Sequence, residues 1–150
     1  MTDEQSLRFL VRSSIIGALS GLIYGLLLPV IGGGTGNISI RSGFYGIFFG
    51  ILIGAVNGYI LQSVTSRFFP IPTKKNLYRV VLGLVTVVTV TLLSIFSLYV
   101  LIFAYSRAPM NSEYMMLMLR LLWFPVLSSV LTSQYLGWWY IKDTFKATPS

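Results

Sequence analysis

The sequence predicts an all-α polytopic membrane protein, a single domain of four transmembrane helices within residues 1–150. Of these residues, 55% are hydrophobic and only 10% are charged, and the mean hydropathy is +0.78. Because a soluble domain carries about 25% charged residues, both a soluble fold and a disordered chain are disfavoured. The chain has neither Cys nor His, which excludes disulfides and the usual ligands of haem, zinc and iron–sulfur clusters.

Four continuous apolar stretches support this fold class. A helix of about 20 apolar residues crosses a hydrocarbon core of roughly 30 Å. Transmembrane β-strands are instead segments of ~10 residues in which apolar and polar side chains alternate. The four stretches are longer than such strands and do not alternate, so they predict helices. They cover residues 13–31, 43–64, 80–105 and 114–141.

The individual spans differ in charge and in proline content. We expect the first span, after Arg12, to be retained, because Asp3 and Glu4 precede it and no clear small-residue cleavage site follows it. The second and third spans contain no charged residue, and the third is long enough to cross with tilt. The fourth span contains one charge, Arg120, and a central proline, Pro125, which predicts a kink.

Lysine and arginine are unevenly divided between the two sides of this topology. Eight of the eleven lie on the side that holds both termini and the loop between the second and third spans, which predicts cytoplasmic termini. These eight are Arg8, Arg12, Arg67, Lys74, Lys75, Arg79, Lys142 and Lys146. The net charge of +7 is therefore first a topology signal, and such a basic rim also binds anionic lipid head groups. Nucleic-acid binding is disfavoured, because these residues flank membrane spans.

Aromatic residues occur where the fourth span reaches the cytoplasmic side. Trp138, Trp139 and Tyr140 come just before Lys142, which predicts an interfacial aromatic belt. We expect the protein in the plasma (inner) membrane or in an energy-converting internal membrane.

The two longer loops differ in composition. The glycine-rich loop 32–42 lacks the strand and the Gly-Lys-Ser/Thr ending of a phosphate-binding loop, so it is interpreted as a flexible connector. The cytoplasmic loop 65–79 is basic but contains the apolar residues Phe68, Phe69 and Ile71. Two interpretations of these three residues remain open, insertion into the lipid head groups and docking on a partner.

Glycines recur every four residues in the first two spans, and this spacing places each set on one helix face. Such faces let helix backbones approach closely in lipid, where no hydrophobic drive between helices exists. The spacing therefore predicts a tight antiparallel pair of helices 1 and 2. Two alternative roles for these glycine faces are packing against another chain and making space for a flat pigment, quinone or lipid. The glycines are Gly17, Gly21 and Gly25 in the first span and Gly46, Gly50, Gly54 and Gly58 in the second.

Four polar residues at depth in the spans, or at their edges, are candidate contacts for a lipid, a ligand or a partner. Arg120 lies about 9 Å into the fourth span, where it either extends to the interface or pairs with Glu113 on the same face. The alternative for Arg120 is a contact with a ligand, a lipid phosphate or a partner. Asn57 and Gln134 are expected to form interhelical hydrogen bonds, with a pigment or ion contact as the alternative.

These features predict a non-catalytic integral membrane subunit of a larger complex. Enzymatic proton transfer needs a group with a suitable pKa, and the spans contain no His, Cys, Asp, Glu or Lys at depth. The alternative is a small homo-oligomeric channel or transporter for a neutral or small solute. We expect other membrane subunits and anionic lipids as partners. We expect no metal and no cofactor beyond bound lipids or a pigment held without histidine.

Overall fold

The structure, a computed structural model, describes residues 3–31, 40–71, 74–106 and 112–146. Its elements are four helices, α1 (Asp3–Ile31), α2 (Ile40–Phe68), α3 (Lys75–Ser106) and α4 (Ser112–Lys146). Three of them contain segments long and apolar enough to cross a membrane, namely Asp3–Leu28, Ile40–Phe68 and Lys75–Val100. The all-α prediction and the prediction of a helical membrane protein are therefore confirmed.

Every helix is longer than the apolar stretch that predicted it. α1 begins ten residues before the predicted span, with Asp3 and Glu4 in its first turn, where the helix dipole favours negative charge. α2 continues to Phe68 and α3 begins at Lys75, so most of the predicted loop 65–79 is helical. An apolar stretch measures only the part of a helix that matches hydrocarbon, whereas the helix continues through polar residues. Most of the glycine-rich loop, residues 32–39, lies outside the described residues.

The four helices alternate in direction and form two antiparallel hairpins. α1 packs most extensively on α2, and α3 packs on α4, while the hairpins meet along α1–α4 and α2–α3. Among the described residues, no Cα atoms of the diagonal pairs α1–α3 and α2–α4 lie within 8 Å of each other. We call the end that holds Asp3 and Lys146 the terminal end, and the opposite end, where each hairpin is connected, the hairpin end.

The backbones of α1 and α2 approach so closely that side chains do not fit between them. A Cβ atom built on Gly21 would collide with the carbonyl oxygen of Gly46, and one built on Gly46 would collide with the carbonyl oxygen of Gly21. A Cβ atom on Gly17 would lie 2.9 Å from the Cα of Gly54 and would collide with the carbonyl oxygen of Gly50. Any larger residue at these positions therefore requires the two backbones to separate.

The same contact continues beyond these glycines in both directions. A Cβ atom on Gly25 would collide with the carbonyl oxygen of Ser42, and one on Gly58 would lie 2.9 Å from the Cβ of Ser13. The hydroxyl of Ser13 donates a hydrogen bond of 2.8 Å to the carbonyl oxygen of Gly54 across the two helices. All the glycines that the sequence singles out thus lie along one contact between α1 and α2.

The hydrophobic core fills the terminal half of the bundle. Its buried members come from all four helices and include four aromatic residues. They are Phe9, Leu61, Tyr78, Leu82, Leu136, Trp139, Tyr140 and Ile141. A smaller cluster of Leu98 and Leu121 lies nearer the hairpin end, with Tyr24 and Leu28 against it.

The predicted aromatic belt on α4 is wrong for two of its three residues. Trp138 is exposed, but Trp139 is only 9% exposed and Tyr140 is fully buried. The hydroxyl of Tyr140 donates to the carbonyl oxygen of Pro70 at 3.0 Å. Consecutive helix residues point about 100° apart because a turn contains 3.6 residues, so three in a row do not all face lipid.

The apolar residues near the connection between α2 and α3 are partly buried in one case and exposed in two. Phe69 packs its ring 5.2 Å from the ring of Tyr78 and is partly buried against the core. The expected contact of Phe69 with lipid or a partner is therefore corrected to a contact within the chain. Phe68 and Ile71 are largely exposed, and their contact with lipid or a partner stays a prediction.

We expect Gly21→Ala to destabilise the fold by about 1–3 kcal/mol, because its Cβ meets backbone that has no room to yield. The matched control is Gly83→Ala on α3, where the nearest atom to a new Cβ is 3.7 Å away. The control should be neutral or slightly stabilising, since alanine favours helix. Unfolding in sodium dodecyl sulfate measures both, and equal midpoints for the two variants would contradict the close α1–α2 contact.

Candidate functional site

The hairpin half of the bundle contains a chamber rather than a core. Its volume is about 560 Å³, and all four helices contribute to its wall. Along α2 it extends from Arg41 to Asn57, which corresponds to about 24 Å of helix. Arg41 is exposed and lies at the hairpin end, whereas the terminal side is filled by the hydrophobic core. Ligand pockets in proteins commonly have volumes of about 300–1,000 Å³, so the chamber is of suitable size.

Small residues leave this space open. The glycines of α1 and α2 contribute no side chain to the wall, and α3 and α4 contribute four serines and one threonine together with five apolar residues. Phe124 and Pro125 of α4 form an apolar part of the wall. The lining serines and threonine are Ser13, Ser20, Ser42, Ser94, Ser97, Ser128, Ser129 and Thr132.

Several of these hydroxyls donate to nearby carbonyl oxygens. Ser97 donates to the carbonyl of Leu93 at 2.8 Å, and Thr132 donates to the carbonyl of Ser128 at 2.7 Å. Such back-bonding satisfies hydroxyls within apolar helices. Each hydroxyl oxygen keeps acceptor capacity, so these groups make the wall mildly polar without any charge.

Among the described residues, Asn57, Arg79 and Thr86 each have a buried side-chain polar atom without a hydrogen-bond partner, and of these three only Asn57 lines the chamber. The side chain of Asn57 is 2% exposed and lines the deep end of the chamber, and its Oδ1 atom has no hydrogen-bond partner. A buried, unpaired polar atom costs about 1–3 kcal/mol, and native structures contain few of them. A neutral ligand with a hydroxyl or N–H group at this depth would remove that cost.

Tyr24 supports the wall by a contact that follows from the proline in α4. Pro125 has no N–H, so the carbonyl of Leu121, four residues earlier, loses its helical donor. The hydroxyl of Tyr24 donates to this carbonyl oxygen at 2.7 Å, and its ring stacks on Phe124 at 5.5 Å. A side chain of α1 thus replaces the missing hydrogen bond of α4 and joins the two hairpins beside the chamber.

The structure separates the four polar residues that the sequence singles out. Asn57 lies in the chamber, whereas Arg120, Glu113 and Gln134 are exposed. The Nε2 atom of Gln134 lies 3.7 Å from the Cβ position of Gly83, and among the described residues no hydrogen bond joins it to Asn57. Within the same residues, no group of three or more acidic residues is placed to hold a metal ion.

The serines of the chamber and Tyr24 are functional candidates that sequence reasoning missed. Two signals were present, since Ser94 and Ser97 share a face of α3, and the proline in α4 required a substitute donor for the carbonyl of Leu121. Neither signal identifies which helix faces the serines or supplies the donor. That information comes only from the packing of the two hairpins.

Comparison of the chain with protein-family models, with curated proteins and with solved structures gives no match.

A double-mutant cycle tests the link between Tyr24 and Pro125. We expect Tyr24→Phe to cost about 1–3 kcal/mol, because it leaves the buried carbonyl of Leu121 without a donor. In a Pro125→Ala background the new N–H bonds this carbonyl, so the same change should cost less than half as much. Unfolding in sodium dodecyl sulfate of the four proteins measures the coupling. An equal cost in both backgrounds would show that the hydroxyl does not substitute for the missing donor.

Proposed function

We propose that this chain is a non-catalytic integral membrane subunit that acts by holding a small, neutral, largely apolar molecule in the chamber between its hairpins. The observation that supports binding is the deep, unpartnered Oδ1 atom of Asn57 in a wall of apolar side chains and hydroxyls. Ligand sites typically combine apolar walls with a few placed polar groups.

The chemistry of the wall favours binding over catalysis. Among the described residues, the titratable side chains of the lining are Arg41 at the rim, Tyr24 and Tyr45. The hydroxyl of Tyr24 is already engaged with a backbone carbonyl. General acid–base catalysis most often uses His, Glu, Asp or Lys, and among the described residues none of these lines the chamber.

We place all four helices across the bilayer, with α1 and α2 paired through their glycines and both termini in the cytoplasm. α4 has 35 residues, or about 52 Å of helix, which exceeds the thickness of the hydrocarbon core. A row of large apolar side chains at every fourth position supports its placement in lipid, as an equivalent row does on α1. The α4 row is Met115, Leu119, Trp123, Leu127, Leu131 and Tyr135, and the α1 row is Leu7, Val11, Ile15, Leu19, Ile23 and Leu27.

The hairpin half of α4 is the proposed contact with other membrane subunits. Met115, Met116 and Trp123 are exposed there. Methionine and aromatic residues are enriched at protein interfaces and adapt to irregular partner surfaces. The glycines of α1 and α2 contact each other within the chain, so we do not assign the partner contact to them.

A large side chain introduced into the chamber tests whether the chamber binds a ligand, because it would occupy the space that the ligand needs. We expect the wild-type protein, purified from membranes in a mild detergent, to retain a small apolar molecule that Ser94→Trp lacks, since Ser94 is buried in the chamber wall. The matched control is Leu92→Trp, two residues away on the exposed face of α3, which should retain the molecule. Organic extraction and mass spectrometry measure the retained molecule.

Asn57→Leu separates binding from folding in the same assay. Removing an unpaired buried polar atom should leave stability unchanged or raised, while the retained molecule is lost. Equal amounts of the molecule in the wild type and in all three variants would refute the chamber as a binding site.

A small homo-oligomeric channel or transporter remains the second candidate, because the chamber reaches exposed Arg41 at one end and is closed by the core at the other. A transporter is expected to have a state in which its binding chamber opens to one side of the membrane only. We expect a native gel of the mildly extracted protein to give a large band that contains other membrane subunits. A band that contains only copies of this chain would favour the transporter instead.

A further inference from the structure

A second cavity lies outside the chamber, on the outer seam between α1 and α4. It is a groove of about 570 Å³ with Ile15 and Ile16 on one side and Leu127 and Leu131 on the other. Arg12 and Tyr135 lie at its end toward the terminal end of the bundle. From Arg12 to Ser20 the groove follows about 12 Å of helix, which is close to the depth of one leaflet of the hydrocarbon core.

Arg12 is held in place at this end of the groove without a carboxylate. Its Nη1 donates to the hydroxyl of Tyr135 at 2.8 Å, and its Cζ lies 4.5 Å from the ring centre of Trp139. The ion pair found among the described residues joins Arg8 to Glu4 one to two turns earlier. The guanidinium is therefore oriented by neutral groups, and its remaining donors and its charge are available to an anion.

A second cation, Lys142, lies on an aromatic ring next to Tyr135. The Nζ atom of Lys142 is 4.8 Å from the ring centre of Trp138, and this ring is 6.4 Å from that of Tyr135, the residue that Arg12 contacts. The nearest carboxylate along α4, Asp143, accepts a hydrogen bond of 2.9 Å from the amide of Gln5. Arg12 at the end of the apolar groove and Lys142 on the exposed ring of Trp138 supply two cations to an amphipathic anion.

We propose that this groove binds an anionic phospholipid, with its phosphate between Arg12 and Lys142 and one acyl chain along the apolar residues of the seam. The guanidinium matches phosphate oxygens in two-point hydrogen bonds, and lysine adds a point charge. The proposal rests on the proposed placement of α4 across the bilayer. An apolar groove that continues from the cations into the hydrocarbon region selects a lipid over a soluble phosphate.

The test titrates delipidated protein in a nonionic detergent with phosphatidylglycerol or with phosphatidylcholine of the same acyl chains, and native mass spectrometry measures occupancy. We expect phosphatidylglycerol to bind more tightly. Arg12→Gln and Lys142→Gln should each weaken it about fivefold, and Arg12→Lys less. The matched control is Arg67→Gln, which removes one exposed charge at the terminal end of α2 and should change affinity less than twofold.

Three outcomes would overturn the site. These are equal binding of the two lipids, an equal loss in Arg67→Gln, and competition by inorganic phosphate at the same concentration as the lipid. A separate measurement tests the placement of α4 itself, since the chain has no native cysteine. Glu113→Cys and Phe145→Cys should react with an impermeant thiol reagent from opposite sides of the membrane. Opposite labelling without lipid selectivity refutes only the lipid site, whereas labelling from one side refutes the placement of α4.

Discussion

The contact between the backbones of α1 and α2 is the constraint on which the rest of this structure depends. At Gly21 and Gly46 each residue occupies the space that a Cβ of the other would need. The two helices therefore form one flat unit, and most glycines of that contact also border the chamber without projecting into it. In lipid, where apolar side chains gain nothing by leaving their surroundings, such close packing is a main source of helix association.

The second hairpin is joined to the first by polar contacts that are few but specific. Tyr24 compensates the carbonyl that Pro125 leaves without a donor, and Ser128 donates to Ser20 at 2.7 Å across the same seam. Because unsatisfied backbone groups are costly away from water, these contacts determine where α4 lies beside α1. The Oδ1 atom of Asn57 has no such partner, and this is the observation behind the proposed binding role of that residue.

The two ends of the bundle differ in their physical character. The terminal end has a core with Tyr78 and Tyr140 in ring contact at 5.7 Å, and cations lie on its outer aromatic faces. The hairpin end has small side chains and open volume. This difference underlies the two proposals, a neutral molecule in the open interior and an anionic lipid at the filled, basic end.

The amino-acid sequence alone predicts the helical membrane class, because apolar runs of bilayer length have few other solutions. It also identified the glycines by their period of four, and Asn57 by its depth in a span. It misplaced Trp139 and Tyr140, since composition near a span end does not reveal which side of a helix faces the core. The packing of the four helices was needed to show that Asn57 and the serines of α3 and α4 border one chamber, and that Arg12 lies on the ring of Trp139. Helical periodicity relates residues within one helix, whereas the rotation and offset between hairpins depend on packing that no single helix encodes.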